Sequence, residues 1–434
     1  MRKIFQYILM AVTVVATASC SNELDETLQP AGNGNLQFVV SDFPAFGEGG
    51  QTRAIGLEDE GKTAWADGDN ILVHLYSQKY GDQAVTLTFD AENNTWESDD
   101  VTLSYLENET PTITAVYAPD CEIKSDKTIG LPDGKQYGEA EYIPAKTTIS
   151  GNTLDIRFES GRTYSRLRIA GLANQTLTVT TTDFTPAGAT EVATDAYTLT
   201  TDNNGNAFLY GVFAEGATVI VKQGDITLKD YTFTAEKNPN GTEYNKSYAL
   251  DATPVIDGTL GGKAEATEED ITALMEQLKA YVDNGITTII VPGSEPAMID
   301  VGSLTITAIG EAIYRLSKEE SYNGKIDLVL PDVTEIVDQE FYGARALNSI
   351  NLPKVTTVGD GAFYDCQYLE ELTFGSVVTA INHKLRAEFY KVGEKVEGCD
   401  LVLNREQVNA EADYQPNIET RTWWNTEWKS ITLK

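Results

Sequence analysis

Two histidines, His74 and His383, are the only imidazoles in the 434 residues, and neither stands beside a motif partner. The chain has no Gly-x-Ser-x-Gly elbow, His-Glu-x-x-His pair, P-loop or dinucleotide fingerprint. Carboxylates are so abundant that no pair stands out as a glycosidase dyad. Asp202-Asn203-Asn204-Gly205-Asn206 opens like a calcium loop. The sixth position, where such a loop needs Gly, is Ala207, and the twelfth, where it needs Glu, is Phe213, so the segment is expected to be a hairpin turn. Besides Cys20, the cysteines are Cys121, Cys366 and Cys399, an odd number with no metal-ligand spacing; a Cys366–Cys399 bridge stays open. The sequence therefore offers no catalytic residue, no metal site and no cofactor site, and a non-enzymatic role is expected.

Binding is better founded, because the chain contains a repeat. Leu328-Val329-Leu330-Pro331-Asp332-Val333 returns 22 residues later as Ile350-Asn351-Leu352-Pro353-Lys354-Val355. The same offset carries Ile336 to Val358, Phe341 to Phe363 and Leu347 to Leu369, and a third unit follows with Leu372, Phe374 and Val377. A unit of this length cannot bury its apolar ladder alone; stacking creates the core. Residues flanking each buried pair then share one outward sheet face. Those are Asp327, Val329, Ser349, Asn351, Glu371 and Thr373, the candidate partner-binding face for a protein or glycan ligand of unknown identity. Cys366 aligns with Ala344 and is expected to be a small buried rung. Tyr342, Tyr364, Tyr368 and the tail tryptophans are expected in core or cap. With its apolar-x-apolar-Pro strand and Ala362-Phe363 ahead of Cys366 and Leu369, the repeat (about 326–382) resembles the BspA-type leucine-rich repeat. The resemblance implies an α/β solenoid with a short helical cap.

The flanks must close that ladder. Upstream, Ile271, Leu274, Leu278, Tyr281 and Val282 form a helical stripe, with Thr267 as N-cap and acids in the first turn. Ile286–Val291 is then a strand and 309–320 a second helix. Downstream, Cys399–Asn404 is expected to be another strand, and the tail with Trp423, Trp424 and Trp428 to close the end. The whole capped domain spans 263–434.

From Leu36 to Leu250 short runs rich in Val, Ile, Thr and Tyr alternate with turn residues, as all-β domains require. Expected strands include Ile71–Tyr76, Ala84–Phe89, Thr112–Tyr117, Arg166–Ile169, Leu177–Thr182 and Ala217–Lys222. Two β-sandwiches, 35–148 and 149–252, are expected. Thr52-Arg53-Ala54, Trp65-Ala66-Asp67-Gly68-Asp69-Asn70-Ile71-Leu72-Val73 and Val116-Tyr117-Ala118-Pro119 resemble the fimbrillin-like family. That resemblance implies a β protein of the pilin and pilus-accessory type, in which Arg53 is a candidate proteolytic processing site. The fold class is thus multidomain and mainly β.

The compartment is written at the N-terminus. Arg2 and Lys3 precede an apolar run from Ile4 to Ala18 of about 15 residues, short of the about 20 needed to span a membrane and suited to a signal-peptide core. Thr17-Ala18-Ser19-Cys20 resembles a lipobox with Thr17 at the usual leucine. It implies a leader of residues 1–19 and acylation, palmitate included, at Cys20. The acidic Ser21-Asn22-Glu23-Leu24-Asp25-Glu26 resembles the tag that sends lipoproteins to the outer face of the outer membrane. Residues 20–34 form a flexible tether. Buried acyl chains contribute about 0.8 kcal/mol per methylene, so two of them anchor stably in outer-membrane lipid.

The leader holds two of the 32 basic and none of the 66 acidic residues, so the remaining chain carries a net charge of −36. Such a surface repels nucleic acid and anionic membrane. The expectation is a surface lipoprotein of the outer membrane, facing the exterior and acting in cell adhesion. A pilus tip or anchor subunit, assembled with other pilus subunits by strand exchange, is the rival expectation. A glycan-utilisation component ranks third.

Overall fold

In the computed structural model, which describes residues 36–44, 62–98, 103–106, 109–158, 162–189, 196–234, 241–382 and 389–434, the chain is mainly β and multidomain. The leader, Cys20, the tether, Arg53 and His383 lie outside the described residues.

The first unit contains β1 (Gln37–Val40), β2 (Asn70–Ser77), β3 (Gly81–Asp90), β4 (Thr95–Ser98), β5 (Thr112–Tyr117), β6 (Glu122–Ile123), β7 (Ile129–Gly130), β8 (Ile143–Ser150) and β9 (Thr153–Arg157). Seven of these form one sheet in the order β1-β9-β8-β5-β2-β3-β4, and β6 and β7 make a separate ribbon. The sheet turns at β8, which pairs with β5 through Ile143–Ala145 and with β9 through Lys146–Ser150. Ile71, Val73 and Leu75 alternate along β2 and meet Leu154 and Ile156 of β9 in a single core. Trp65 packs edge-on against Phe43, Trp96 and Tyr117 in that core, with ring centroids 4.9–5.3 Å away.

The expected boundary at 148 is corrected, since it falls inside β8. Lys146, Thr148 and Ser150 face solvent, which gives a half-buried strand the composition of a linker.

The second unit contains β10 (Ser165–Ala170), β11 (Thr176–Thr181), β12 (Phe184–Pro186), β13 (Ala196–Thr200), β14 (Asn206–Phe213), β15 (Thr218–Gln223), β16 (Ile226–Thr232) and β17 (Ser247–Asp251). They form two four-stranded sheets, β12-β14-β10-β17 and β13-β11-β15-β16. Leu167, Ile169, Leu209 and Phe213 from the first share a core with Leu177, Val179, Val219 and Val221 from the second. Asp202–Asn206 is a tight turn but not a hairpin, because it carries the chain from β13 in one sheet to β14 in the other. Asp202 Oδ1 accepts from the backbone N–H groups of Asn204 and Asn206, at 2.8 and 2.9 Å. Its carboxylate thus organises the turn itself.

The third unit contains α1 (Glu268–Asp283), β18 (Thr288–Ile290), β19 (Met298–Val301), β20 (Leu304–Thr307), α2 (Ala308–Lys318), β21 (Ile326–Val329), β22 (Glu335–Ile336), β23 (Leu347–Leu352), β24 (Thr357–Val358), β25 (Glu371–Phe374), β26 (Ala380–Ile381), β27 (Asp400–Leu403), β28 (Thr422–Trp423), β29 (Thr426–Glu427) and β30 (Ser430–Leu433). Thr267 caps α1, and Asp270 returns the bond in a capping box. A six-stranded parallel sheet runs β18-β21-β23-β25-β27-β30, and a second parallel sheet runs β22-β24-β26. Phe341, Phe363 and Phe389 stack at 5.7 and 5.8 Å in the core of this unit.

One rung differs from the period-22 expectation. Val378, not Val377, takes the buried place of Val355, and Ala380 and Ile381 pair with Thr357 and Val358. The chain gains one residue at this bend, where Gly375 lies so close to Pro353 that a Cβ would come within 2.8 Å of its Cα.

Candidate binding face

Alternation along each parallel strand buries one row of side chains and turns the next outward. Ile326 and Leu328, Ile350 and Leu352, and Leu372 and Phe374 are buried. The six residues singled out from the sequence lie between and beside them. Asp327, Ser349 and Glu371 are direct neighbours in one row, and Val329, Asn351 and Thr373 in the next. Asn351 and Glu371 are exposed and the other four are half-buried.

The rows extend beyond the repeat. Thr288 and Ile290 continue them upstream, Asp400 with Val402 and Ser430 with Thr432 downstream. The apolar run from Leu401 to Leu403 carries the signal for the downstream extension; β18 lies in the segment expected to be the cap.

Hydrogen bonds within and between strands fix these side chains. Asp327 Oδ1 accepts from Ser349 Oγ at 2.7 Å and from Asn348 Nδ2 at 2.8 Å. Glu371 accepts from Thr373 Oγ1 at 3.2 Å. Asp400 accepts from Ser430 at 2.6 Å and lies 3.1 Å from Lys429 Nζ. The Ser430 hydroxyl foremost, with Lys429, holds its carboxyl below the ordinary range. Lys325 reaches across two strands to Glu370 at 2.7 Å. The first row is polar throughout, with carboxylates on β21, β25 and β27, and is suited to hydrogen-bonding recognition, whereas the second mixes Asn351, Thr373 and Thr432 with Ile290, Val329 and the buried Val402.

Elsewhere the chemistry-bearing residues are structural. His74 Nε2 lies 2.9 Å from Asp82 Oδ1 on the neighbouring strand. Cys366 is a buried rung whose thiol donates to the Phe341 carbonyl at 2.9 Å, and burial pushes its pKa up to about 12. Cys399 is also a buried free thiol, raised by burial. Among the described residues no cluster of three or more His, Cys, Asp or Glu is placed to hold a metal ion. None of the described helices is long and apolar enough to cross a membrane.

Stacked parallel rungs with outward polar rows define a repeat-protein region. Residues 324–392 match the family model described as BspA type Leucine rich repeat region (6 copies). No curated protein matches the sequence. A fimbrial protein from Bacteroides ovatus ATCC 8483, solved at 1.85 Å, is a structural neighbour with 10% identity and a TM-score of 0.25. The likeness covers 50% of this chain and 48% of that one, so this chain spans about half of that protein's length.

Proposed function

We propose that this chain is a lipid-anchored protein of the outer cell surface that binds a partner through the outward face of its repeat region. The observation that carries the reading is the row of polar side chains Thr288, Asp327, Ser349, Glu371, Asp400 and Ser430 on six parallel strands, held by bonds such as Ser349–Asp327. Preorganised side chains lose little entropy on binding. Solenoids use such faces for partners, and the BspA-type match over 324–392 supports that architecture and a surface-associated, non-enzymatic role. In this reading Cys20 carries the acyl chains, residues 20–34 are the tether, and two β-sandwich units hold the repeat solenoid away from the membrane. The partner is a protein or glycan.

The test is protease shaving of intact cells expressing wild type or Cys20→Ala, combined with attachment of cells carrying Asn351→Arg/Glu371→Arg to immobilised matrix proteins and mucin. Shaving of the wild type, release of the Cys20 variant and loss of attachment by the charge variant are expected. A wild-type repeat region protected inside intact cells defeats the surface reading. Undiminished attachment by the charge variant defeats the sheet face as the contact.

A second reading, a pilus tip or anchor subunit, is favoured by one observation. β1 is a four-residue edge strand paired in parallel with β9, and it precedes Arg53 in the chain. Cleavage after Arg53 would sever β1 from the rest of the chain and free the β9 edge for a strand from another subunit. Ladder formation by purified protein after cleavage at Arg53 would establish this reading, and a persistent monomer would exclude it.

A further inference from the structure

Of the three tail tryptophans, Trp423 and Trp428 are buried and close the repeat stack, whereas Trp424 is half-exposed. Trp424 and Asn425 form the two-residue turn between β28 and β29, and both have left-handed backbones, at φ +48° and +57°. Asn tolerates that region and such turns favour it, but a bulky aromatic there is an outlier. Strain of this kind persists where the surroundings enforce it, often at ligand sites.

Tyr414 stacks behind the indole, with centroids 5.2 Å apart and planes 8° from parallel. Trp424 also lines a cleft of about 540 Å³ together with Asp413, Gln415, Asn417, Thr422, Trp423 and Asn425. That is within the usual size of small-ligand sites, roughly 300–1,000 Å³. The side chains of Asp413 and Asn425 make no hydrogen bond to any described residue. Asn417 Oδ1 accepts from Thr420 N at 3.0 Å.

We propose that this cleft binds a neutral saccharide. A braced indole face suits the C–H face of a pyranose ring. Around it a carboxylate acceptor and several carboxamides supply the mixed donors and acceptors that vicinal hydroxyls require. Asp413 is the one charge among these lining residues, so the cleft disfavours anionic sugars and phosphates. The site is separate from the sheet face and does not depend on its role.

The test uses the full chain made soluble by Cys20→Ala. Tryptophan fluorescence and saturation-transfer NMR follow titration with methyl α-D-mannopyranoside, methyl β-D-galactopyranoside, N,N′-diacetylchitobiose and maltotetraose, and with a lysine-rich peptide. Saturable binding of at least one saccharide is expected. Trp424→Gly suits the left-handed turn and removes the platform, and it should weaken binding at least tenfold with the fold retained. Asp413→Ala, at an exposed position, should weaken binding similarly and decides alone if the glycine variant misfolds. Asp133→Ala, at an exposed turn of the first unit, should bind like the parent. Absence of saccharide binding, preference for the peptide, or full binding by Asp413→Ala overturns the proposal.

Discussion

The carboxamide of Gln407 makes two hydrogen bonds to the backbone of Val378, beside the last rung of the β22-β24-β26 sheet. Its Oε1 accepts from Val378 N at 2.8 Å and its Nε2 donates to Val378 O at 3.0 Å, with a further bond to Tyr414 O at 3.0 Å. Gln407 is fully buried, so its side chain satisfies backbone groups of Val378 and Tyr414 that water does not reach. Gln407→Leu keeps the volume and strands two buried backbone groups. It should destabilise the repeat unit by about 2–4 kcal/mol in urea unfolding. An unchanged midpoint would show that water replaces the carboxamide without loss.

Glu340 should make stability depend on pH near neutrality. Its carboxyl is buried beneath the start of α2 and accepts from Thr307 N at 3.1 Å and from the Thr307 hydroxyl. Burial pushes its pKa up from 4.5 to about 7, against the opposing pull of the Thr307 hydrogen bonds. A carboxyl raised on folding stabilises fully below its unfolded pKa, and that contribution fades as pH rises through the folded value. Wild type should therefore lose up to ~3 kcal/mol between pH 4.5 and 7 relative to Glu340→Gln, which cannot ionise. Thermal melts of both at pH 5 and pH 8 give the comparison. A constant difference between them would mean that Glu340 keeps one protonation state throughout.

Local periodicity was a good guide wherever burial was one-sided. Thr112–Tyr117 matches β5 residue for residue, and the stripe from Ile271 to Tyr281 is the buried face of α1. Register failed where the chain bends unevenly: the extra residue after Gly375 moved Val378 into the slot expected for Val377. Phe389 follows Phe363 by 26 residues rather than 22, which hides the third phenylalanine rung from a fixed-period reading. β14 was overlooked because Gly211 interrupts it beside a run of turn residues. Gly211 is required there, since a Cβ would lie 2.3 Å from the Phe184 ring. The sheet-face residues could be placed from alternation alone. The Trp424 cleft could not, because it depends on a turn that folds the tail back over Tyr414.

The first two units should behave as one mechanical piece. Arg162 donates through Nε to Glu141 at 2.7 Å, with Nη2 2.6 Å from the same oxygen, and both residues are buried. Tyr164 adds a hydroxyl to that oxygen at 3.3 Å. Removing one partner of a buried pair leaves an uncompensated charge, so Arg162→Met should cost about 3–5 kcal/mol. Arg162→Met/Glu141→Leu should recover much of that loss. Calorimetry on the three proteins checks it, and additive losses would show that the pair is not coupled.

Phe363 holds the middle of the aromatic ladder, with Phe341 on one side and Phe389 on the other. Its ring is fully buried, and beyond Phe389 the same stack meets Trp423 and Trp428 at 5.7 and 5.3 Å. Stacked repeats are coupled through nearest neighbours, so a cavity at the central rung weakens both interfaces at once. Phe363→Ala should cost about 3–5 kcal/mol. It should also separate the two ends: amide exchange would accelerate more across β27 and β30 than across β21, which remains paired with β18 of the upstream cap. Peptide-resolved hydrogen exchange distinguishes the cases. Equal acceleration at both ends would mean that the repeat unit opens as a whole and that the ladder is not its weak seam.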